Sequence, residues 1–96
     1  MILKKLEYAD FVVQSLIKDR PVENIIFYNA LNGIFDFLKS DMNEYEKKVV
    51  SENIDILRGI KNIIEIYYNG GSCIREIIEV NYSDFRKLVD QLNKRG

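Results

Sequence analysis

Six carboxylates, Asp36, Asp41, Glu44, Glu46, Glu52 and Asp55, fall within one acidic stretch of this chain. Converging in twos or threes they would hold a magnesium ion, which takes oxygen ligands. Spread along helices they form a solvated face, which is the reading their spacing favours. Histidine is absent from the sequence, and with it the commonest general base and the commonest transition-metal ligand. Cys73 is the only cysteine. It has no histidine to activate it, no zinc spacing around it and no second thiol for an internal disulfide. Gly70-Gly71 lies between two apolar runs rather than ahead of a helix, so it reads as a turn and not as a phosphate cradle. Tyr67, Tyr68 and Tyr82 with Arg75 have the side-chain types that stack nucleobases, although strand tyrosines more often pack half-buried. The expectation is a chain that is not an enzyme, with no cofactor and no metal site.

The elements that would position these groups belong to a single domain spanning residues 1–96. The apolar fraction is 47% and the charged fraction 30%, as in ordinary globular proteins. No run of apolar residues is long enough to cross a membrane. The opening Met1-Ile2-Leu3-Lys4-Lys5-Leu6-Glu7 lacks the pattern of a secretory signal, and a cytoplasmic protein is expected. Net charge is −1 but uneven: residues 21–57 hold seven acidic and three basic side chains, and residues 58–96 hold five and seven.

Period separates two halves of the chain. Ile2, Leu6, Ala9, Val13 and Leu16 step by four and three, which predicts a first helix over 2–18. Tyr8 and Phe11 project away from that stripe, toward either a covering helix or a partner. Pro21 separates it from a second helix over 22–39. There Ile26, Phe27, Ala30, Leu31, Ile34, Phe35, Phe37 and Leu38 cover roughly 200° of the circumference, which predicts a central helix. Gly33 within that stripe suggests a close crossing. Asp41 with Glu44 fits a capping box for a third helix that ends at Gly59.

From Ile63 onward the runs shorten. Ile63-Ile64-Glu65-Ile66-Tyr67-Tyr68 and Cys73-Ile74-Arg75-Glu76-Ile77-Ile78-Glu79-Val80 flank Asn69-Gly70-Gly71, and β-formers around such a tripeptide predict a hairpin. The register preferred on charge sets Glu65 opposite Arg75. A final helix carries Phe85, Leu88, Val89 and Leu92 and closes on Lys94 and Arg95. The expected class is therefore α+β: three N-terminal helices, a β-hairpin and a C-terminal helix, in the order αααββα.

That order resembles the winged-helix arrangement of many small transcription factors over residues 22–92, with Gly59-Ile60-Lys61 and Asn69-Gly70-Gly71 placed as a wing would place them. The resemblance implies a DNA-binding regulator that would use Arg58, Lys61, Arg75, Arg86 and Lys87. The helix in the recognition position departs from the pattern. Residues 41–57 carry Asp41, Glu44, Glu46, Glu52 and Asp55 against Lys47 and Lys48, a charge that phosphates repel.

The reading preferred on the residues is a small regulatory protein that binds other proteins or itself. It would act as a homodimer, adaptor or inhibitor, of a kind known from phage and mobile elements. Its motive is a surplus of apolar surface, with Tyr8, Phe11, Ile63, Tyr67 and Ile77 as the expected interface. No nucleic acid and no membrane partner belong to this reading.

Overall fold

The computed structural model describes residues 2–94, and among them every regular element is helical. A 3-10 turn at Ile2–Leu6 leads into α1 (Glu7–Ile17), α2 (Asn24–Leu38), α3 (Glu44–Glu52), α4 (Ile54–Tyr68) and α5 (Arg75–Lys94). The α+β expectation is overturned, and with it the β-hairpin and the wing of the winged-helix arrangement. Residues 63–68 are the second half of α4, and residues 75–80 are the first turns of α5. Arg95 lies outside the described residues.

The physical reason is that both runs continue a helical stripe. Leu57, Ile60, Ile64 and Tyr67 step by three and four, and Ile63 widens the row; all but the half-buried Tyr67 are buried. Ile78 sits two turns before Phe85 and shares its face with Val89 and Leu92. Packing along these stripes outweighs the strand preference of isoleucine. Asn69-Gly70-Gly71 supplies a helix stop instead of a hairpin turn. Gly70 adopts φ 90°, its N–H donates to Tyr67 O at 3.1 Å, and the Gly71 N–H donates to Ile66 O at 2.8 Å. These two bonds make a Schellman closure. Asp19 ends α1 in the same way at φ 55°, with the Arg20 N–H donating to Ser15 O at 2.9 Å. The charge pairs follow the helices too. Glu65 meets Lys61 one turn away at 3.2 Å, not Arg75, which reaches Asp19 at 3.0 Å.

The expected third helix is two. Asn53 breaks it at φ −124°, ψ 24°, with its side-chain amide donating to Val49 O at 2.8 Å. The capping box is formed by Asn43 and Glu46 rather than Asp41 and Glu44: the Glu46 N–H donates to Asn43 Oδ1 and the Asn43 N–H to Glu46 Oε1. Gly59 lies inside α4, not at a helix end, and faces Asn81 of α5 so closely that a Cβ would collide with that side chain's oxygen. Gly33 does mark a close approach. Its missing Cβ makes room for the backbone oxygen of Lys5 in the 3-10 turn.

The four longer helices form an up-down-up-down bundle in the ring order α1, α2, α4, α5. Tyr28 lies near Tyr68 and Phe35 near Ile54, so α2 and α4 run antiparallel. Asp10 meets Arg86, whereas Asp19 just beyond α1 meets Arg75 at the start of α5, so α1 and α5 are antiparallel as well. The short α3 lies on α5, pinned by the Tyr45 hydroxyl donating to Gln91 O at 2.9 Å. Leu6, Ala9, Val12, Val13, Ala30, Ile34, Phe37, Leu57, Ile60, Ile64, Phe85 and Leu88 fill the centre. No helix among the described residues is long and apolar enough to cross a membrane.

Candidate functional site

The helical fold scatters the five residues expected at an interface. Tyr8 and Phe11 are exposed on α1, and Ile77 is exposed on the first turns of α5. Ile63, at 3% exposure, belongs to the core between α4 and its neighbours. Tyr67 is half-buried and serves the turn after α4. Its ring stacks on Phe27 at 6.3 Å, and its hydroxyl accepts from the Cys73 N–H at 3.1 Å and donates to Cys73 O at 3.3 Å. Ile63 is thus taken up by the core, and the Tyr67 hydroxyl by the turn after α4.

The five cations of the winged-helix reading are also dispersed. Arg58 pairs with Asp55, Lys61 with Glu65, Arg75 with Asp19, and Arg86 with Asp10 and Asp90. Lys87 is exposed on α5. With no strand to form a wing among the described residues, and with four of the five cations paired to carboxylates, these residues do not compose the expected groove reader. The six carboxylates do not converge either: among the described residues no group of three potential metal ligands is found.

One polar cluster does form, on the seam between α1 and α5. Asp10 accepts from Gln14 Nε2 at 2.8 Å, from the Tyr82 hydroxyl at 2.9 Å and from Arg86 at 3.3 Å. Partial burial pushes the Tyr82 phenol above its ordinary pKa, and the hydrogen bond and negative charge of Asp10 add to the effect; Gln14 and Arg86 oppose it. A phenol held protonated as a donor fixes α5 to α1, the reverse of what a base or nucleophile needs. A hollow beside it is lined by Leu3, Leu6 and Val89 as well as by Lys4, Glu7, Asp10 and Arg86, and its charges already include the Asp10–Arg86 pair.

The seam on the opposite side of the ring, between α2 and α4, is built from different residues. Four large apolar side chains of α2 stand out of the core: Ile25 (57% exposed), Tyr28 (48%), Phe35 (43%) and Leu38 (39%). At 100° per residue they form one inclined row along the outer side of α2. Tyr68 of α4 flanks the row at one end, with its ring 6.4 Å from that of Tyr28, and Ile54 flanks it at the other. A depression of about 220 Å³, floored by Ile34 and Leu57 and rimmed by Arg58 and Lys61, lies beside Phe35 and Leu38. A second hollow, bounded by Asn24, Ile25, Tyr28 and Tyr68, lies at the other end of the seam. Leu38 was expected in the core, and Ile25 and Tyr28 were not expected at any site. The available signal was the width of the apolar arc on α2. It read as centrality, but part of that arc faces outward.

Comparison with known proteins returns no matching family model, no similar curated protein and no similar solved structure.

Proposed function

We propose that this chain is a non-catalytic protein-interaction protein of regulatory type, working as a homodimer, an adaptor or an inhibitor. The observation that carries this reading is the outer face of α2. Four large apolar side chains stand exposed in one row and are extended by α4, in a chain of 96 residues. Large apolar side chains exposed along one side of a helix are a usual mark of a protein-binding site. Tyr28 is braced by Tyr68, so ordering it on binding costs little entropy. Two further apolar groups add to the surplus: Tyr8 with Phe11 on α1, and Ile66, Ile74, Ile77 and Val80 around the turn between α4 and α5. The lone, half-buried Cys73 suits a cytoplasmic setting.

The test is association of the intact chain, with itself or with other proteins, set against a variant carrying Phe11→Glu, Phe35→Glu and Ile77→Glu together. Each change puts a charge where an apolar side chain is already exposed, so the variant should fold. We expect the parent to associate, by solution mass or by co-purification from its own cells, and the variant to lose that association. A folded variant that keeps every association of the parent, or a parent that shows none, refutes the reading.

A further inference from the structure

We propose that the outer face of α2 is a self-complementary interface, across which two copies of this chain cross α2 against α2 about a two-fold axis near Leu31 and Asn32. The inference rests on the protein-interaction reading and names the partner as a second copy.

Spacing is the first ground. The exposed apolar residues of α2 are Ile25, Tyr28, Phe35 and Leu38. From either end the order is aliphatic, aromatic, aromatic, aliphatic, with steps of three, seven and three residues. A two-fold interface is isologous: residue i of one copy meets residue j of the other, and j meets i. An antiparallel crossing centred on this row sets Tyr28 against the second copy's Phe35 twice, and Ile25 against its Leu38 twice. A groove for an unrelated helix has no need of this palindrome.

The surroundings are compatible with the same crossing. One hollow lies at each end of the α2–α4 seam, and an antiparallel crossing brings the hollow at one end of each copy toward the hollow at the other end of its partner. Asn32, exposed beside the midpoint, carries an amide that both donates and accepts and so can bond its own copy. A polar residue at the centre of an apolar helix pair fixes register. Glu23 precedes α2 and Lys39 follows it, both exposed. An antiparallel crossing brings each toward its opposite charge on the second copy. A stable interface takes about 800 Å² from each partner. Against a total accessible surface of 6011 Å², that is a share one side of the bundle can supply.

Sedimentation of the full chain across the micromolar range tests the proposal. We expect a species of twice the 11.3 kDa chain mass. Tyr28→Lys and Phe35→Glu should each weaken self-association by about 30-fold or more, as loss of an interface hot spot does. Mixed in equal amounts, the two variants should reassociate, because the introduced ammonium and the introduced carboxylate then face each other. Phe11→Glu should leave the dimer intact. Circular dichroism checks that each variant folds, and Ile25→Lys with Leu38→Glu provides a second complementary pair. A dimer that survives Tyr28→Lys and Phe35→Glu, or that is lost in Phe11→Glu, overturns the assignment to α2. Failure of both mixed pairs to reassociate overturns the two-fold pairing. A monomer at every concentration overturns the proposal, and the interaction reading then stands or falls on co-purification with other proteins.

Discussion

The two opposite seams of the bundle solve the same problem with different chemistry. Between α1 and α5 the joint is polar: Asp10 gathers Gln14, Tyr82 and Arg86, and Arg86 also reaches Asp90. Between α2 and α4 it is apolar, with the tilted Tyr28–Tyr68 pair at one end and Phe35, Leu38 and Ile54 at the other. The polar seam is complete within one chain. Among the described residues no buried side-chain nitrogen or oxygen lacks a partner, and each atom of the Asp10 carboxylate has a donor. The apolar seam is not complete, because its row of side chains stays half in water. Hydrogen bonds saturate, since each acceptor takes a fixed number of donors, whereas apolar burial continues to gain with every further area covered. A seam of the second kind can therefore hold the monomer together and still favour a partner.

Both seams rest on one core, and the largest effect is expected there. Phe37 is fully buried on α2. Phe37→Ala should cost about 3–5 kcal/mol, a large share of the stability of a domain this size. Chemical denaturation should show a lower midpoint, with both seams failing in the same transition. An unchanged midpoint would mean that the seams, not the shared core, hold the helices together.

The polar seam should be next. Asp10→Ala removes the acceptor of three donors at once. Leaving a partly buried hydroxyl and a guanidinium short of partners should cost about 1–3 kcal/mol. Tyr82→Phe, which deletes one donor, should cost about 1 kcal/mol. In the double variant the two losses should fall short of their sum, because they share one bond. Strict additivity would show that the Asp10–Tyr82 contact contributes nothing.

The same seam should leave a signature at alkaline pH. Folding raises the Tyr82 pKa above 10.0, chiefly by burial and then through Asp10. The folded chain thus holds this proton more tightly than the unfolded chain. Its contribution is intact below pH 10 and is lost as pH rises through the higher folded value. Thermal melts should fall more steeply above pH 10 for the parent than for Tyr82→Phe. Identical slopes would remove the phenol from the linkage.

Against these expectations, the sequence shows some regions clearly and hides others for physical reasons. The stripe of Leu6, Ala9 and Val13 and that of Phe85, Leu88, Val89 and Leu92 are long and strictly helical in period, and both helices form. Residues 63–80 read as a hairpin and are instead the end of α4, a turn and the start of α5. Isoleucine suits strands, the run is short, and glycine at positive φ serves a hairpin and a helix stop equally well. The deciding fact is that Ile64 and Ile78 extend the stripes of Leu57 and Phe85, and that continuity crosses the very boundary the composition suggests. For the candidate site, Tyr8 and Phe11 stand off the stripe of the first helix and are exposed, whereas Ile63 and Ile77 both fall on one face of the expected hairpin; on the helices that form instead, Ile77 is exposed and Ile63 is buried. The row on α2 was hidden by its own hydrophobicity. Phe35 and Leu38 have the composition of core residues, and only the position of α4 shows which side of the helix has no neighbour.

The apolar seam should give the smallest change in folding stability, and this is where the two seams separate most cleanly. Phe35 is 43% exposed in the single chain. Substitutions at exposed positions away from caps and buried networks usually stay within about 0.5 kcal/mol. Phe35→Ser should therefore leave the unfolding midpoint of the monomer nearly where it was, measured at a concentration low enough to exclude association. Asp10→Ala at the opposite seam should shift that midpoint and leave self-association unchanged. A crossed result, with Phe35→Ser destabilising the monomer by as much as Asp10→Ala, would mean that the α2–α4 row is spent on the chain's own fold, and the distinction between a complete seam and an open one would fail.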